Sequence, residues 1–207
     1  MNRRTFLAAA ALGTAATATC AEPFEPRLTI TLNPEAPGSS RGVFTGSDQS
    51  FPVGLGKNGV LPAGSAFRGG YSLLGRFRIN AILSADRFEM TDRLIEQSGK
   101  PRDWLAENLF ANMSSIDFDG DGKGGEYGNA FFGLEPVDSK AKQPFHFGEY
   151  KGTFRWYTYA IHGTRDETRI GKCVTGGCVN VSAETVARLL NGTKLGDGVL
   201  VQKEGEG

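Results

Sequence analysis

Alternating polar and apolar positions predict β-strands along much of the chain. Residues 27–33 read Arg-Leu-Thr-Ile-Thr-Leu-Asn, a pattern typical of a strand with one buried face. Further runs rich in β-branched and aromatic residues, bounded by Gly and Pro turns, predict strands at 74–83, 131–136, 153–161 and 198–202. The pattern therefore predicts a mainly β fold, a sandwich or barrel-like sheet with helical insertions.

The period changes to that of a helix in three places. Residues 88–95 carry apolar side chains on one side of a helix, which the following Gly and Pro would end, and residues 104–110 predict a second short helix. Ser182 is a favourable N-cap for a third helix that ends near Gly192. These helices would pack against the predicted sheet.

The length of the chain indicates a single domain, and its N-terminal pattern indicates export. The 207 residues suffice for one domain of ordinary size, and the 23 basic and 23 acidic residues cancel, which does not favour nucleic-acid binding. Arg3-Arg4 precedes a run of small and apolar residues that ends near Ala21, a pattern typical of a twin-arginine export signal. We predict a removable signal at 1–21, one domain at 22–207 in the periplasm, and no transmembrane segment.

The residues with the clearest chemistry lie between His162 and Asn180. Cys178 follows two glycines, so its thiol would lie on a tight turn where the backbone N–H groups of Gly176, Gly177 and Cys178 point at an oxyanion. His162 follows a β-prone run and would lie at a strand end. Because a thiol needs a base to react at neutral pH, the pair predicts a cysteine nucleophile with a histidine general base.

Two other interpretations of the cysteines stay open. Cys178 and His162 are also compatible with a small buried thiol and a histidine satisfied by a core carbonyl. Cys173 lies five positions before Cys178, so the two thiols could instead pair or form a redox site, although their spacing is not Cys-x-x-Cys.

An acidic, Gly-rich stretch has the spacing of a calcium loop. Asp117, Asp119 and Asp121 occupy its first, third and fifth positions, and Gly122 the sixth. The twelfth position, where a bidentate Glu is expected, is Gly128, so a solvated acidic turn is the alternative. A structural Ca²⁺ site is therefore a hypothesis, while the Cys–His chemistry requires no cofactor.

The motifs around the Cys–His pair resemble the signature of the L,D-transpeptidase catalytic domain, also called YkuD-type. The family's form is a His, a spacer, and then Ser/Thr-His-Gly-Cys-hydrophobic-Asn/Arg. The matching segments here are Ile161-His162-Gly163-Thr164 and Thr175-x-Gly177-Cys178-Val179-Asn180. Gly176 stands where the family has a second His, so the chain departs from the pattern there.

The resemblance implies the family's fold and a peptidoglycan L,D-transpeptidase activity in cell-wall biogenesis. Cys178 would form a thioester with a tetrapeptide stem and transfer it to an acceptor amine, giving a 3-3 cross-link, or to water, as a carboxypeptidase does. Carbapenem-type inhibitors would acylate the same thiol. The Gly163 carbonyl would orient His162. Thr175 and Asn180 would hold the loop or the stem, and Arg155 and Arg165 are candidates for binding the substrate carboxylates.

Two further function classes stay open. The first is a non-catalytic peptidoglycan-binding or regulatory protein on the same fold, which Gly176 favours. The second is another cysteine amidase or peptidase, which would cut the stem peptide at a different bond.

Overall fold

The computed structural model describes residues 23–137 and 146–205. The predicted export signal at 1–21 lies outside these residues, so the signal and the domain boundary it defines stay predictions. Within the described ranges, no helix is both long and apolar enough to cross a membrane.

Short strands dominate the described residues, which confirms the predicted mainly β fold. The strands are β1 Pro26–Leu32, β2 Arg41–Phe44, β3 Ser50–Pro52, β4 Leu55–Gly56, β5 Val60–Leu61, β6 Ser72–Leu73, β7 Gly75–Ser84, β8 Phe88–Met90, β9 Ala130–Pro136, β10 His146–Tyr150, β11 Thr153–Tyr157, β12 Ala160–His162, β13 Cys173–Thr175, β14 Val179–Asn180 and β15 Gly198–Lys203. The helices are α1 Asp92–Ser98, α2 Arg102–Ser115 and α3 Ala183–Gly192.

One mixed sheet organises the fold. Its spatial order is β14-β12-β9-β7-β15-β1-β2-β3, and β8 pairs with part of β7. The strand β15 pairs with β1 in parallel and with β7 antiparallel, so the two halves of the sheet meet at β15. A separate hairpin, β10–β11, contacts α2 and α1 beside the sheet.

The central strands are buried on both faces. In β9, Phe132 and Leu134 belong to the larger apolar cluster, which includes β1 and α3, whereas Phe131 belongs to a second cluster with α1, α2 and Trp156. Because successive strand residues point to opposite faces, this division places one core on each side of the sheet. The hairpin and the two helices therefore cover the face opposite α3.

The strand predictions hold, with two differences. The run at 153–161 forms two strands, β11 and β12, because Thr158 and Tyr159 separate them. The prediction that residues 88–95 form one helix is wrong, since Phe88–Met90 is a strand that pairs with β7 and the helix begins at Asp92. Apolar residues at 88 and 90 suit a strand as well as a helix, and pairing with a buried strand decides between them.

The pairing of β12 with β14 brings the predicted nucleophile and base to one edge. The two strands run in parallel, with Ile161 opposite Val179 and His162 opposite Asn180. Cys178 immediately precedes β14, and its turn therefore lies beside the carboxyl half of β12.

Candidate active site

His162 and Cys178 line the same cavity, which has a volume of about 550 Å³. The cavity lies between the turn that carries Cys178, the β10–β11 hairpin and the loop before β9. Thr175, Gly176 and Asn180 also line it. The structure therefore brings the predicted nucleophile, base and neighbouring motif residues together, although their roles stay predictions.

The imidazole of His162 has a defined tautomer. Its Nδ1 lies 2.6 Å from the carbonyl oxygen of Gly163. A carbonyl only accepts hydrogen bonds, so Nδ1 carries the proton and Nε2 is free to accept one. The ring also packs edge-on against Tyr127, with centroids 4.9 Å apart, and parallel to Phe131 at 6.4 Å.

Burial keeps this imidazole neutral. His162 is 8% exposed, and removal from water lowers its pKa to about 4, an effect that the Gly163 hydrogen bond opposes. At neutral pH the side chain is therefore an unprotonated base.

A contact between two glycines fixes the Gly163 carbonyl. Gly128 has φ +61°, and a Cβ there would lie 2.5 Å from Thr164 N and 2.7 Å from Gly163 Cα. A Cβ on Gly163 would lie 3.1 Å from Gly128 Cα. Only hydrogen fits between these two backbone segments, so Gly128 positions the carbonyl that orients His162.

The thiol of Cys178 is half-buried among backbone groups. Its Sγ donates to the Thr158 carbonyl at 3.7 Å, and within the described residues no hydrogen bond joins it to His162. Burial raises the pKa of the thiol to about 11, opposed by the Ala160 N–H and by the charge of Arg155. At neutral pH the thiol and the imidazole are therefore both uncharged.

Hydrogen bonds on both sides hold the turn that carries Cys178. The Thr175 hydroxyl donates to the Cys178 carbonyl at 2.5 Å and accepts the Gly177 N–H at 3.1 Å. The carbonyls of Gly176 and Gly177 accept from Gly70 N and Ser72 Oγ. Thr175 thus holds the loop.

The predicted oxyanion donors are not equivalent. The Gly177 N–H already donates to Thr175, which removes it as a free donor. The N–H groups of Gly176 and Cys178 donate to no group in the described part of the chain. They are the two donors of this turn that remain for an oxyanion.

The four predicted substrate-binding residues separate in the structure. Asn180 lines the cavity and is 1% exposed. Its Oδ1 has no hydrogen-bond partner among the described residues. Arg155 also lines the cavity, whereas the guanidinium of Arg165 donates to Asp121 at 2.7 Å and does not. Thr175 lines the cavity and contacts its own turn.

The carboxylates of the acidic loop have partners within the protein, and the Ca²⁺ site stays a hypothesis. Asp117 accepts the N–H groups of Gly120 and Gly122, while Asp119 and Asp121 pair with arginines 50 and 44 positions away. Among residues 23–137 and 146–205, no group of three or more His, Cys, Asp or Glu side chains has an arrangement suited to a metal ion. The carboxylates instead fasten the loop to the segment after His162.

The two cysteines of this region are separate. Cys173 Sγ lies 3.9 Å from the Pro34 carbonyl, and both Cys173 and Cys178 are free thiols in the structure. This arrangement gives no support to a disulfide or a two-thiol redox site.

Sequence reasoning missed an aromatic wall on the cavity. Phe118, Tyr127 and Tyr157 line it, and His146 stacks on Tyr157 with centroids 4.5 Å apart. The aromatic content of the β10–β11 hairpin is a sequence signal for part of this wall, but Phe118 and Tyr127 lie in loops without any periodic pattern.

One family of known proteins matches most of the chain. The family model for the L,D-transpeptidase catalytic domain matches residues 43–201. No curated protein shows a significant match. An L,D-transpeptidase from Mycobacterium smegmatis is 15% identical, with a TM-score of 0.40, over 85% of this chain and 58% of that one.

Two further solved structures show a similar level of likeness. L,D-transpeptidase 3 from Mycobacterium tuberculosis, in complex with a faropenem-derived adduct, is 15% identical, with a TM-score of 0.43, over 86% of this chain and 60% of that one. L,D-transpeptidase 1 from the same organism is 14% identical, with a TM-score of 0.35, over 84% and 61%. The chain spans about three fifths of the length of these three proteins.

Proposed function

The chain belongs to the L,D-transpeptidase catalytic domain family, and we propose that it is a peptidoglycan L,D-transpeptidase whose nucleophile is Cys178. The match over residues 43–201 confirms the resemblance predicted from the motif. The observation that carries the proposal is the shared cavity, which is lined by Cys178 and by a neutral His162 whose Nε2 is free to accept a proton.

The first half of the reaction forms a thioester. As Cys178 Sγ attacks the carbonyl carbon between the third residue and the terminal D-residue of a stem peptide, His162 Nε2 takes the thiol proton. The N–H groups of Gly176 and Cys178 would bind the resulting oxyanion. The C–N bond then breaks, and His162 returns its proton to the leaving amine of the D-residue.

Activation of this thiol depends on substrate arrival. Because burial favours the neutral form of both Cys178 and His162, the proton moves only as the carbon–sulfur bond forms. Hydrogen bonds to the developing oxyanion, each worth about 3 kcal/mol in comparable sites, make that transfer favourable.

The second half of the reaction releases the stem. An acceptor amine attacks the thioester carbonyl as His162 Nε2 takes a proton from it. The C–S bond then breaks and the imidazolium returns the proton to Cys178 Sγ, which leaves a free thiol and a 3-3 cross-link between stems. Water in place of the amine gives a carboxypeptidase. A carbapenem would acylate Cys178 by the same attack on its β-lactam carbonyl.

We place this activity in the periplasm, since the predicted twin-arginine signal at 1–21 would export the protein. The substrate proposed above lies in that compartment, and the reaction draws on no metal or organic cofactor.

Two observations favour the non-catalytic alternative. Cys178 Sγ donates to the Thr158 carbonyl rather than to His162, and Gly176 replaces the second His of the family motif. A peptidoglycan-binding protein would need neither a reactive thiol nor that His. This alternative predicts binding of stem peptides without any Cys178 adduct.

The test compares the protein with its Cys178→Ser variant. Each is incubated with a purified tetrapeptide muropeptide and, separately, with a carbapenem, and the products are read by mass spectrometry. We expect a Cys178-dependent adduct and loss of the terminal D-residue, with dimers for a transpeptidase and tripeptides for a carboxypeptidase. Cleavage at another bond would identify an amidase or peptidase, and no adduct or product under reducing conditions would refute the catalytic proposal.

A further inference from the structure

Arg155 occupies an unusual position for an arginine. It lies in β11, is only 8% exposed, and lines the cavity that contains Cys178 and His162. Long charged side chains are seldom buried to this extent unless they are paired. Its burial therefore calls for a binding partner.

Aromatic rings surround the guanidinium on its faces. Its central carbon lies 3.8 Å from the ring centroid of Tyr157, 4.6 Å from that of Phe118 and 5.1 Å from that of Tyr150. Rings in this arrangement stabilise the cation through their faces but accept no hydrogen bond from the edge of the guanidinium. The arginine is held in place without satisfying its donors.

Among residues 23–137 and 146–205, no protein group accepts a hydrogen bond from Arg155. Its Nε is buried and has no hydrogen-bond partner, and in the described part of the chain Arg155 forms no ion pair. Of the acidic side chains that line the cavity, Asp119 pairs with Arg169, and Glu126 accepts the N–H groups of Phe118 and Asp119. An unpaired buried cation is unfavourable until an anion enters.

We propose that Arg155 binds a carboxylate of the donor stem peptide, and that the enzyme thereby selects donors in which this carboxylate is free. A planar guanidinium matches a carboxylate with two parallel hydrogen bonds, and the aromatic cage fixes its orientation before the ligand arrives. The inference rests on the proposed function and names a feature that the substrate must carry.

Two carboxylates of a donor stem share this chemistry. The terminal carboxylate of the leaving D-residue lies three bonds from the carbonyl that Cys178 attacks, and so would enter the same cavity. A side-chain carboxylate of the stem is the second source. Amidation of one group at a time distinguishes them.

The experiment measures kcat/KM for three donor tetrapeptides: the free acid, the terminal amide and the side-chain amide. We expect the wild-type protein to prefer the free acid over one of the two amides by about tenfold or more, since a buried charged hydrogen-bond pair is lost with that amide. The amide that loses activity identifies the carboxylate. Equal kcat/KM values for all three donors would overturn the proposal.

Variants separate this role from a structural one. In Arg155→Gln the preference for the free acid should fall to about one, mainly through KM, and Arg155→Lys should restore part of it because the charge returns without the planar fork. Arg188→Gln is the matched control, since Arg188 also lies over two rings, Phe44 and Phe51, but away from the cavity. It should keep the wild-type preference. An Arg155→Gln protein that folds and retains the preference would refute the site.

A binding measurement keeps the inference separate from the proposed function. If no donor is turned over, titration calorimetry of the Cys178→Ser protein with the same three peptides replaces the kinetics. Tighter binding of the free acid, lost in the Cys178→Ser, Arg155→Gln double variant, would support the carboxylate site although the catalytic proposal had failed. Equal affinities for acid and amides would overturn the site.

Discussion

One methyl group at position 128 should remove most of the activity, although residue 128 does not line the cavity. Gly128 has φ +61°, and the Cβ of an alanine there would lie 2.5 Å from Thr164 N and 2.6 Å from the Gly163 carbonyl carbon. Since Cβ contacts are normally at least 3.4 Å, the backbone at 163–164 would have to move by about 1 Å. That displacement moves the carbonyl that holds His162 Nδ1.

The expected magnitude follows from this displacement. A misplacement of about 1 Å in a catalytic group lowers the rate by about 100-fold, so kcat should fall by that factor in Gly128→Ala. The left-handed backbone of an alanine at this position costs about 1–2 kcal/mol of folding free energy, and the clash adds to it. The protein would fold, but with a mobile imidazole.

A matched glycine separates strain from contact. Gly99, which ends α1, has φ +65°, and a Cβ added there would meet nothing within 4 Å. Gly99→Ala should therefore lose a similar 1–2 kcal/mol, about the cost of the left-handed backbone alone, by denaturant unfolding and keep its kcat. Turnover of a tetrapeptide muropeptide and unfolding curves are measured for both variants. Wild-type kcat in a folded Gly128→Ala protein would refute the positioning role of this glycine contact.

Three further predictions concern the pair and its turn. Alkylation of Cys178 by iodoacetamide at pH 7, followed by mass spectrometry, should be on the order of 100-fold slower than that of an ordinary thiol. The alkylation rate should rise about tenfold per pH unit toward pH 11. A rate that is constant between pH 5 and 8 would instead indicate a resting thiolate–imidazolium pair. Between pH 6.5 and about 4 the unfolded chain binds a proton at His162 that the folded chain does not, so this residue lowers stability as pH falls, by up to about 1.4 kcal/mol per unit. His162→Gln should remove this pH dependence of the unfolding free energy, which is measured by urea unfolding at each pH. The same pH dependence in both proteins would contradict the lowered pKa. Gly177→Ala should lose activity, because φ at this residue is +132° and the added Cβ would lie 2.7 Å from Tyr71 O. Gly176→Ala should keep its activity, because the added Cβ would have no atom within 4 Å. Similar kcat/KM values for the two variants would show that the turn tolerates either change.

Local pattern predicted the strands well because most of them are buried on one face or on both. The alternation at 27–33 and the apolar run at 74–83 correspond to β1 and β7. The prediction failed at Phe88–Met90 because three residues fit either period, and antiparallel pairing with the preceding strand β7, across a turn at 85–87, makes them a strand.

The shared cavity of His162 and Cys178 was predictable because their motif lies within 20 residues of sequence. The interactions that tune them were not, since they join distant segments. Nothing at position 128 indicates contact with Gly163. An arginine in a β-prone run is normally exposed, yet Arg155 is buried by Phe118, from a distant loop, together with Tyr157 of its own strand. The acidic loop shows the converse. Its carboxylates have the spacing of a calcium loop, but Asp121 pairs with Arg165 and Asp119 pairs with Arg169.

The position of β15 has a consequence for how the protein folds. Because β15 lies between β1 and β7, the first described strand joins the rest of the sheet through a strand about 170 positions later, as the Thr31–Gln202 contact illustrates. Pairings this distant carry a large loop-closure entropy and slow the search for the native topology. Completion of the sheet is therefore expected late in folding, on a time scale of milliseconds to seconds. A chain still lacking its last strand would present two open sheet edges to other chains.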